Sequence, residues 1–137
     1  MQYPISFIQN EVTNKFTVTA PDLPGCCIEC DSIESGFYEI KLAIEDHLSI
    51  LAEYGEKISS AQKIEVHQKN MMNKSDNIIW AIIDIDITPY LGKSHKINVT
   101  LPELLIKQID DRVSKSEQHK TRSGFIATAC LTLLEKR

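Results

Sequence analysis

Apolar and polar positions alternate at the start of the chain. Tyr3, Ile5 and Phe7 fall on one face of YPISFI, and Phe16, Val18 and Ala20 on one face of KFTVTA. A period of two is the signature of a half-buried strand, and the polar connection QNEVTN between the two runs predicts a β-hairpin. The prolines and Gly25 of PDLPGC then turn the chain into CCIEC, a third short strand. From Ile33 the period changes. Ile33, Phe37, Ile40, Ile44, Leu48 and Leu51 share one stripe of an α-helix that ends before Gly55 and lies across the sheet, with Asp31 or Ser32 as its cap.

Residues 56–77 are polar and lack a sustained period, which predicts loop with a short helical turn around SSAQKIE. IIWAIIDIDI is β-branched and strand-like; Ile79, Ala81, Ile83, Ile85 and Ile87 form its buried face, and Trp80, Ile82, Asp84 and Asp86 the other. Pro89 and Gly92 interrupt both periods in TPYLGKS. The expected organisation is a β-β-β-α-β body over residues 1–88, a linker over 89–94 and a separate module over 95–137.

In that module HKINVTL alternates strictly, with Ile97, Val99 and Leu101 on one side and Lys96, Asn98 and Thr100 on the other. Pro102 suits the first position of a helix through PELLIKQIDDRV. After the polar break SKSEQHK, Thr121 can cap a second helix, RSGFIATACLTLLEKR. A lone strand leaves its backbone groups unpaired on both sides. Two copies solve this by forming an antiparallel ribbon over four helices, so Ile97, Val99 and Leu101 are the expected homodimer core.

The charge is split the same way. Residues 1–92 carry six Lys/Arg against fourteen Asp/Glu, net −8, while residues 93–137 carry nine against five, net +4. An acidic body suits a basic partner and a basic tail a polyanion. The chain of 137 residues is 42% hydrophobic, enough for a core, with no apolar run of membrane-spanning length. MQYPISFIQN has neither the basic nor the apolar region of a leader peptide. The expectation is a soluble cytoplasmic protein with no membrane partner and reduced thiols.

Three of the four cysteines, Cys26, Cys27 and Cys30, crowd one turn and strand. Cys27 and Cys30 leave opposite faces of a strand, and no second CxxC completes a tetrahedral zinc site. The residues between them, Ile28 and Glu29, do not provide the helix N-terminus that activates a redox thiol. Cys26 and Cys27 read as small apolar fillers. Carboxylates are plentiful (Glu11, Asp22, Asp31, Glu34, Glu45, Asp46, Asp84, Asp86), yet only Asp84 and Asp86 share a face, that of a solvated strand edge. His47, His67, His95 and His119 read as surface residues, and Trp80 as core or partner interface. No catalytic residue, metal ligand or cofactor is nominated.

The order and residue types of KINVTLPELLIKQIDDRV followed by TRSGFIATACLTLL resemble the ribbon-helix-helix family of DNA-binding proteins. That resemblance implies base contacts from Lys96, Asn98 and Thr100, and a backbone phosphate seated at Thr121, Arg122 and Ser123. Both roles fit the physics of a β-ribbon in the major groove and of a helix N-terminus facing an anion. PDLPGC after a hairpin, the helix, the isoleucine-rich strand and TPYLGKSHKINVTLP together resemble the HicB antitoxins of bacterial toxin–antitoxin pairs. The chain departs from that pattern at Cys30, where glycine is usual, and at Ser35 and Gly36, where Glu-Ala is common.

The resemblance implies an α+β protein. Its N-terminal domain would be partial RNase H-like and bind a small HicA-type mRNA-cleaving toxin; its C-terminal β-α-α domain would form a homodimer or higher oligomer and repress the operon at operator DNA. Two other readings are a stand-alone ribbon-helix-helix regulator with a ligand-sensing N-terminal domain, and an RNase H-like RNA-processing hydrolase. The expected protein is not an enzyme.

Overall fold

A computed structural model describes residues 1–71 and 77–136, and the chain divides into two units, Met1–Gly92 and Lys93–Arg137. In the first, the two alternating stretches form the expected hairpin. β1 (Gln2–Gln9) pairs antiparallel with β2 (Phe16–Thr19), setting Phe7 opposite Val18 and Gln9 opposite Phe16. Asn10 holds the turn, its Oδ1 accepting the N–H groups of Val12 and Thr13. β3 (Cys27–Cys30) extends the sheet beyond β2, and β4 (Ile78–Asp84) pairs antiparallel with β1 on its other side, giving the order β3-β2-β1-β4. PDLPG is the turn into β3. Gly25 takes φ 84, which favours glycine, and Leu23, 1% exposed, anchors the turn in the core.

α1 (Ile33–Glu53) starts at a capping box in which Ser32 and Ser35 each accept the other's backbone N–H. Its buried residues are Gly36, Ile40, Ile44 and Leu48, facing the side of the sheet that carries Tyr3, Ile5, Phe7 and Val18. Burying each aliphatic side chain of that stripe contributes about 1.5–3 kcal/mol, which outweighs the roughly 1 kcal/mol helix penalty of Gly36. The glycine is also required sterically. A Cβ there would lie 2.8 Å from Cys30 Sγ, 2.9 Å from Phe7 Cε1 and 3.2 Å from Val18 Cγ2.

Between α1 and β4 the structure departs from the predicted loop. α2 (Ile64–Asn70) forms C-terminal to the expected turn, leaving residues 59–63 non-helical; the end of that loop, residues 72–76, lies outside the described residues. A seven-residue helix has too few turns to show a period. α2 brings the His67 ring onto Trp80, with centroids 6.2 Å apart and planes 13° from parallel. Trp80 is opposite Ser6 in the ladder, so α2 covers the sheet face away from α1, and Pro4 and Ser6 are buried there. β1 is thus covered on both faces, which its alternating sequence did not reveal.

β4 also corrects an expectation. Ile83, Ile85 and Ile87 are buried as expected and Ala81 is half-buried, but Ile79 is 48% exposed. β4 is the sheet's edge strand and ends at Asp84, so the apolar face runs only partly under α1. Within the stretch expected as linker, Thr88–Tyr90 forms a 3-10 turn whose Tyr90 hydroxyl hydrogen-bonds with Ser49 of α1.

The second unit consists of residues 93–102, which carry no helix or strand, followed by α3 (Glu103–Lys115) and α4 (Arg122–Glu135). The expected strand at 95–101 is not paired, because a ladder needs a second strand and this single chain supplies none there. Pro102 is the N-cap of α3 rather than its first residue. Thr121 caps α4 as expected, its Oγ1 accepting the Gly124 N–H at 3.0 Å. Ile109 of α3 is buried, while Ile97, Val99, Leu104, Leu133 and Leu134 are 61–80% exposed.

Candidate functional site

The second unit presents the polar row of KINVT to solvent. Lys96, Asn98 and Thr100 are all exposed, and they alternate with Ile97 (79% exposed), Val99 (61%) and half-buried Leu101. Thr121, Arg122 and Ser123 open α4 and are exposed as well. Sequence reasoning missed the partner of Arg122. The guanidinium meets Asp110 of α3 as a two-pronged fork, Nε donating to Oδ1 at 2.9 Å and Nη2 to Oδ2 at 2.7 Å. Those hydrogen bonds lower the Asp110 carboxyl below its ordinary range and raise Arg122. An i, i+12 separation across a helix–helix connection has no period to betray it.

In the first unit, the groups that looked chemical are dispersed. Cys27 is exposed and Cys30 buried, so CIEC sends its two thiols to opposite faces. Burial raises the pKa of Cys26 and of Cys30, which keeps both as unreactive thiols. Asp84 lies 3.6 Å from the Met1 amine, whereas Asp86 accepts the Thr88 N–H at 3.0 Å and shapes the turn after β4. Among the described residues no group of three His, Cys, Asp or Glu is placed to hold a metal ion.

His67, expected at the surface, is 6% exposed. Its Nε2 lies 3.1 Å from Oδ1 of Asp22, the aspartate of PDLPG, and the same oxygen accepts the Gln62 N–H at 3.1 Å. Asp22 thereby fastens the segment leading into α2 to the turn before β3. Burial pushes the Tyr90 hydroxyl pKa up, and Glu45 adds to the shift. The acidic side chains of α1 remain at the surface: Glu34, Glu39, Asp46 and Glu53 are exposed and Glu45 half-buried.

The fold thus defines a small two-module α+β protein: a four-stranded antiparallel sheet packed on one long helix, then a basic helical pair with Leu104, Leu133 and Leu134 open to solvent. The chain belongs to the HicB-like antitoxin family of bacterial toxin–antitoxin systems, whose family model matches residues 3–130. Membership assigns it a regulatory antitoxin role.

A 14.9 kDa protein from the rep–hol intergenic region of Haemophilus phage HP1 is 32% identical over 127 residues, covering 93% of this chain and 92% of that protein. The antitoxin HicB of Burkholderia pseudomallei superposes with a TM-score of 0.67 at 28% identity, covering 98% of both chains. A chain of the HicA3 and HicB3 toxin–antitoxin complex shares the fold over 63% of this chain and 99% of its own, with a TM-score of 0.52 at 21% identity.

Proposed function

We propose that the first unit, read as a trimmed RNase H-like fold, binds and neutralises a small HicA-type mRNA-cleaving toxin. The second unit pairs with its copy in another chain as a ribbon-helix-helix dimer and represses the operon by binding operator DNA. The observation that carries this reading is the reach of the family match, residues 3–130, which spans both units rather than either alone.

Physical features support each half. A stretch without helix or strand, with Ile97 and Val99 open to solvent, suits a strand partner, and an identical stretch from a second chain supplies one. Pairing buries Ile97, Val99 and Leu101 against the helices and leaves Lys96, Asn98 and Thr100 facing the major groove. Thr121, Arg122 and Ser123 seat a phosphate at the start of α4. The net charge of −8 over residues 1–92 suits a basic toxin. No residue is assigned to catalysis and no cofactor or metal to either unit. The protein acts in the cytoplasm, where both the toxin's mRNA substrate and the operator are found.

Co-expression with the HicA-type protein of the adjacent reading frame tests the reading. Growth rescue, co-purification and a gel shift of the upstream promoter fragment are expected. A chain that neither rescues growth nor retains the neighbour on a column is not its antitoxin.

A further inference from the structure

α1 packs one long side on the sheet, and its opposite side receives the Thr88–Tyr90 turn at Ser49 and Glu45. The stripe Ile40, Ile44, Leu48 is fully buried on the sheet. The other side should be polar on an ordinary surface helix, yet it carries four large apolar side chains at four-residue spacing around Asp46: Tyr38 (68% exposed), Leu42 (44%), Ile50 (54%) and Tyr54 (74%). Residues i and i+4 are neighbours on a helix surface, so Tyr38 adjoins Leu42 and Ile50 adjoins the C-cap Tyr54, with Asp46 between the two apolar pairs. Ridges of this spacing are what one element packs into the groove of another.

Charge narrows the occupant. Five carboxylates and one lysine, Lys41, lie between residues 34 and 54, so this helix alone holds net −4 of the unit's −8. Glu39 lies beside Tyr38 and Asp46 lies within the row itself, and both are exposed. Exposed apolar side chains set among one sign of charge mark a protein-docking surface, and a basic partner with an apolar centre fits it. A second copy docking through the same face does not, because it would set two acidic helices face to face.

We infer that the Tyr38–Leu42–Ile50 ridge of α1, with its Glu39 and Asp46 carboxylates, is the surface on which the toxin docks. The inference rests on the toxin-binding reading above and specifies where that binding occurs. The tyrosine supplies the kind of aromatic anchor that dominates interface energies, and the carboxylates steer association.

The test uses the full chain and the purified HicA-type protein of the adjacent frame, with affinity and rates measured by surface-based binding at two salt concentrations. The variants are Tyr38→Ala, Leu42→Glu and the pair Glu39→Lys/Asp46→Lys. Val12→Glu on the hairpin turn, 92% exposed, and Ile82→Glu on the edge strand, 52% exposed, serve as comparison sites. Thermal melts confirm that each variant folds.

Tyr38→Ala and Leu42→Glu are expected to weaken binding by roughly 30-fold or more, mainly through faster dissociation. The charge reversal should slow association at low salt and do so less at high salt. Val12→Glu and Ile82→Glu should bind as the unaltered chain does. Binding by the unaltered chain that survives all three α1 changes, or is lost only in Ile82→Glu, overturns the docking face and leaves the antitoxin reading standing. An unaltered chain that does not bind the neighbour at all removes both.

Discussion

His67 Nε2 lies 3.1 Å from Asp22 Oδ1, and their side chains are only 8% and 3% exposed. The contact joins two segments that are far apart in sequence, the PDLPG turn and α2, and the stacking of His67 on Trp80 carries it on to the sheet. Asp22→Ala would leave the Gln62 N–H without its acceptor and remove the carboxylate packed against a buried imidazole, at a cost of about 1–3 kcal/mol. His67→Ala should cost a similar amount. Urea titration of the two variants and of their combination is expected to give a double variant clearly less destabilised than the sum, by about 0.5–3 kcal/mol. Strict additivity would show that the two residues do not support each other.

The close approach of Gly36 to Cys30 leads to a second coupled pair. A methyl group at 36 meets Cys30 Sγ at 2.8 Å and the Phe7 ring at 2.9 Å. Gly36→Ala gains about 1 kcal/mol of helix propensity, but overpacking typically costs about 1–3 kcal/mol, so net destabilisation is expected. Adding Cys30→Ala removes the sulfur and should recover part of the loss, the remaining Phe7 contact preventing full recovery. Calorimetric midpoints of the single and double variants read this directly. Cys30 Sγ thus occupies space that Gly36 leaves open.

The Asp110–Arg122 fork predicts a pH dependence. The folded-state pKa of Asp110 is depressed, chiefly by the hydrogen bond from Arg122. A group shifted this way adds stability that is present above its unfolded pKa and lost as pH falls through the folded one. Asp110→Asn should therefore lower the unfolding midpoint slightly near neutrality, and its difference from the unaltered chain should disappear below the ordinary carboxylate range. Both side chains are half-exposed, so the effect is small and shrinks with salt. A difference that grows on acidification would contradict this.

These pairs show where sequence patterns are informative and where they stop. Tyr3, Ile5 and Phe7 announce β1 because alternation is local, and Ile40, Ile44 and Leu48 announce α1 for the same reason. The cap at Thr121 was legible from side-chain type alone, whereas side-chain type left Asp31 and Ser32 equally open as the cap of α1. His67 was not, because its burial depends on Asp22 forty-five positions earlier, which no period connects. Nor was Gly36, whose cost as a helix residue is visible in the chain while the Cys30 and Phe7 atoms that demand it are not. Of the candidate site, KINVT alternates strictly in sequence, but the structure has no strand there and exposes both sets of side chains. The Arg122–Asp110 fork was hidden in the packing of α3 on α4.

The second unit's proposed roles separate cleanly by variant. Lys96→Ala or Asn98→Ala removes a proposed base contact and should cost about 1–3 kcal/mol of operator affinity while relaxing preference among promoter sequences. Arg122→Ala removes a phosphate contact and should weaken all duplexes alike, lowering the salt slope of binding by about 1. Val99→Asp places a carboxylate in the expected ribbon core and should yield monomers on sedimentation, with DNA binding lost as a consequence. Gel shifts at two salt concentrations, run beside sedimentation, distinguish the three. Unchanged shifts in Lys96→Ala, Asn98→Ala and Arg122→Ala would remove the DNA role, and Val99→Asp chains that remain dimeric would remove the ribbon. Because Ile97 and Val99 are the most exposed apolar pair on an otherwise polar stretch, the sedimentation result bears most directly on what the second unit is for.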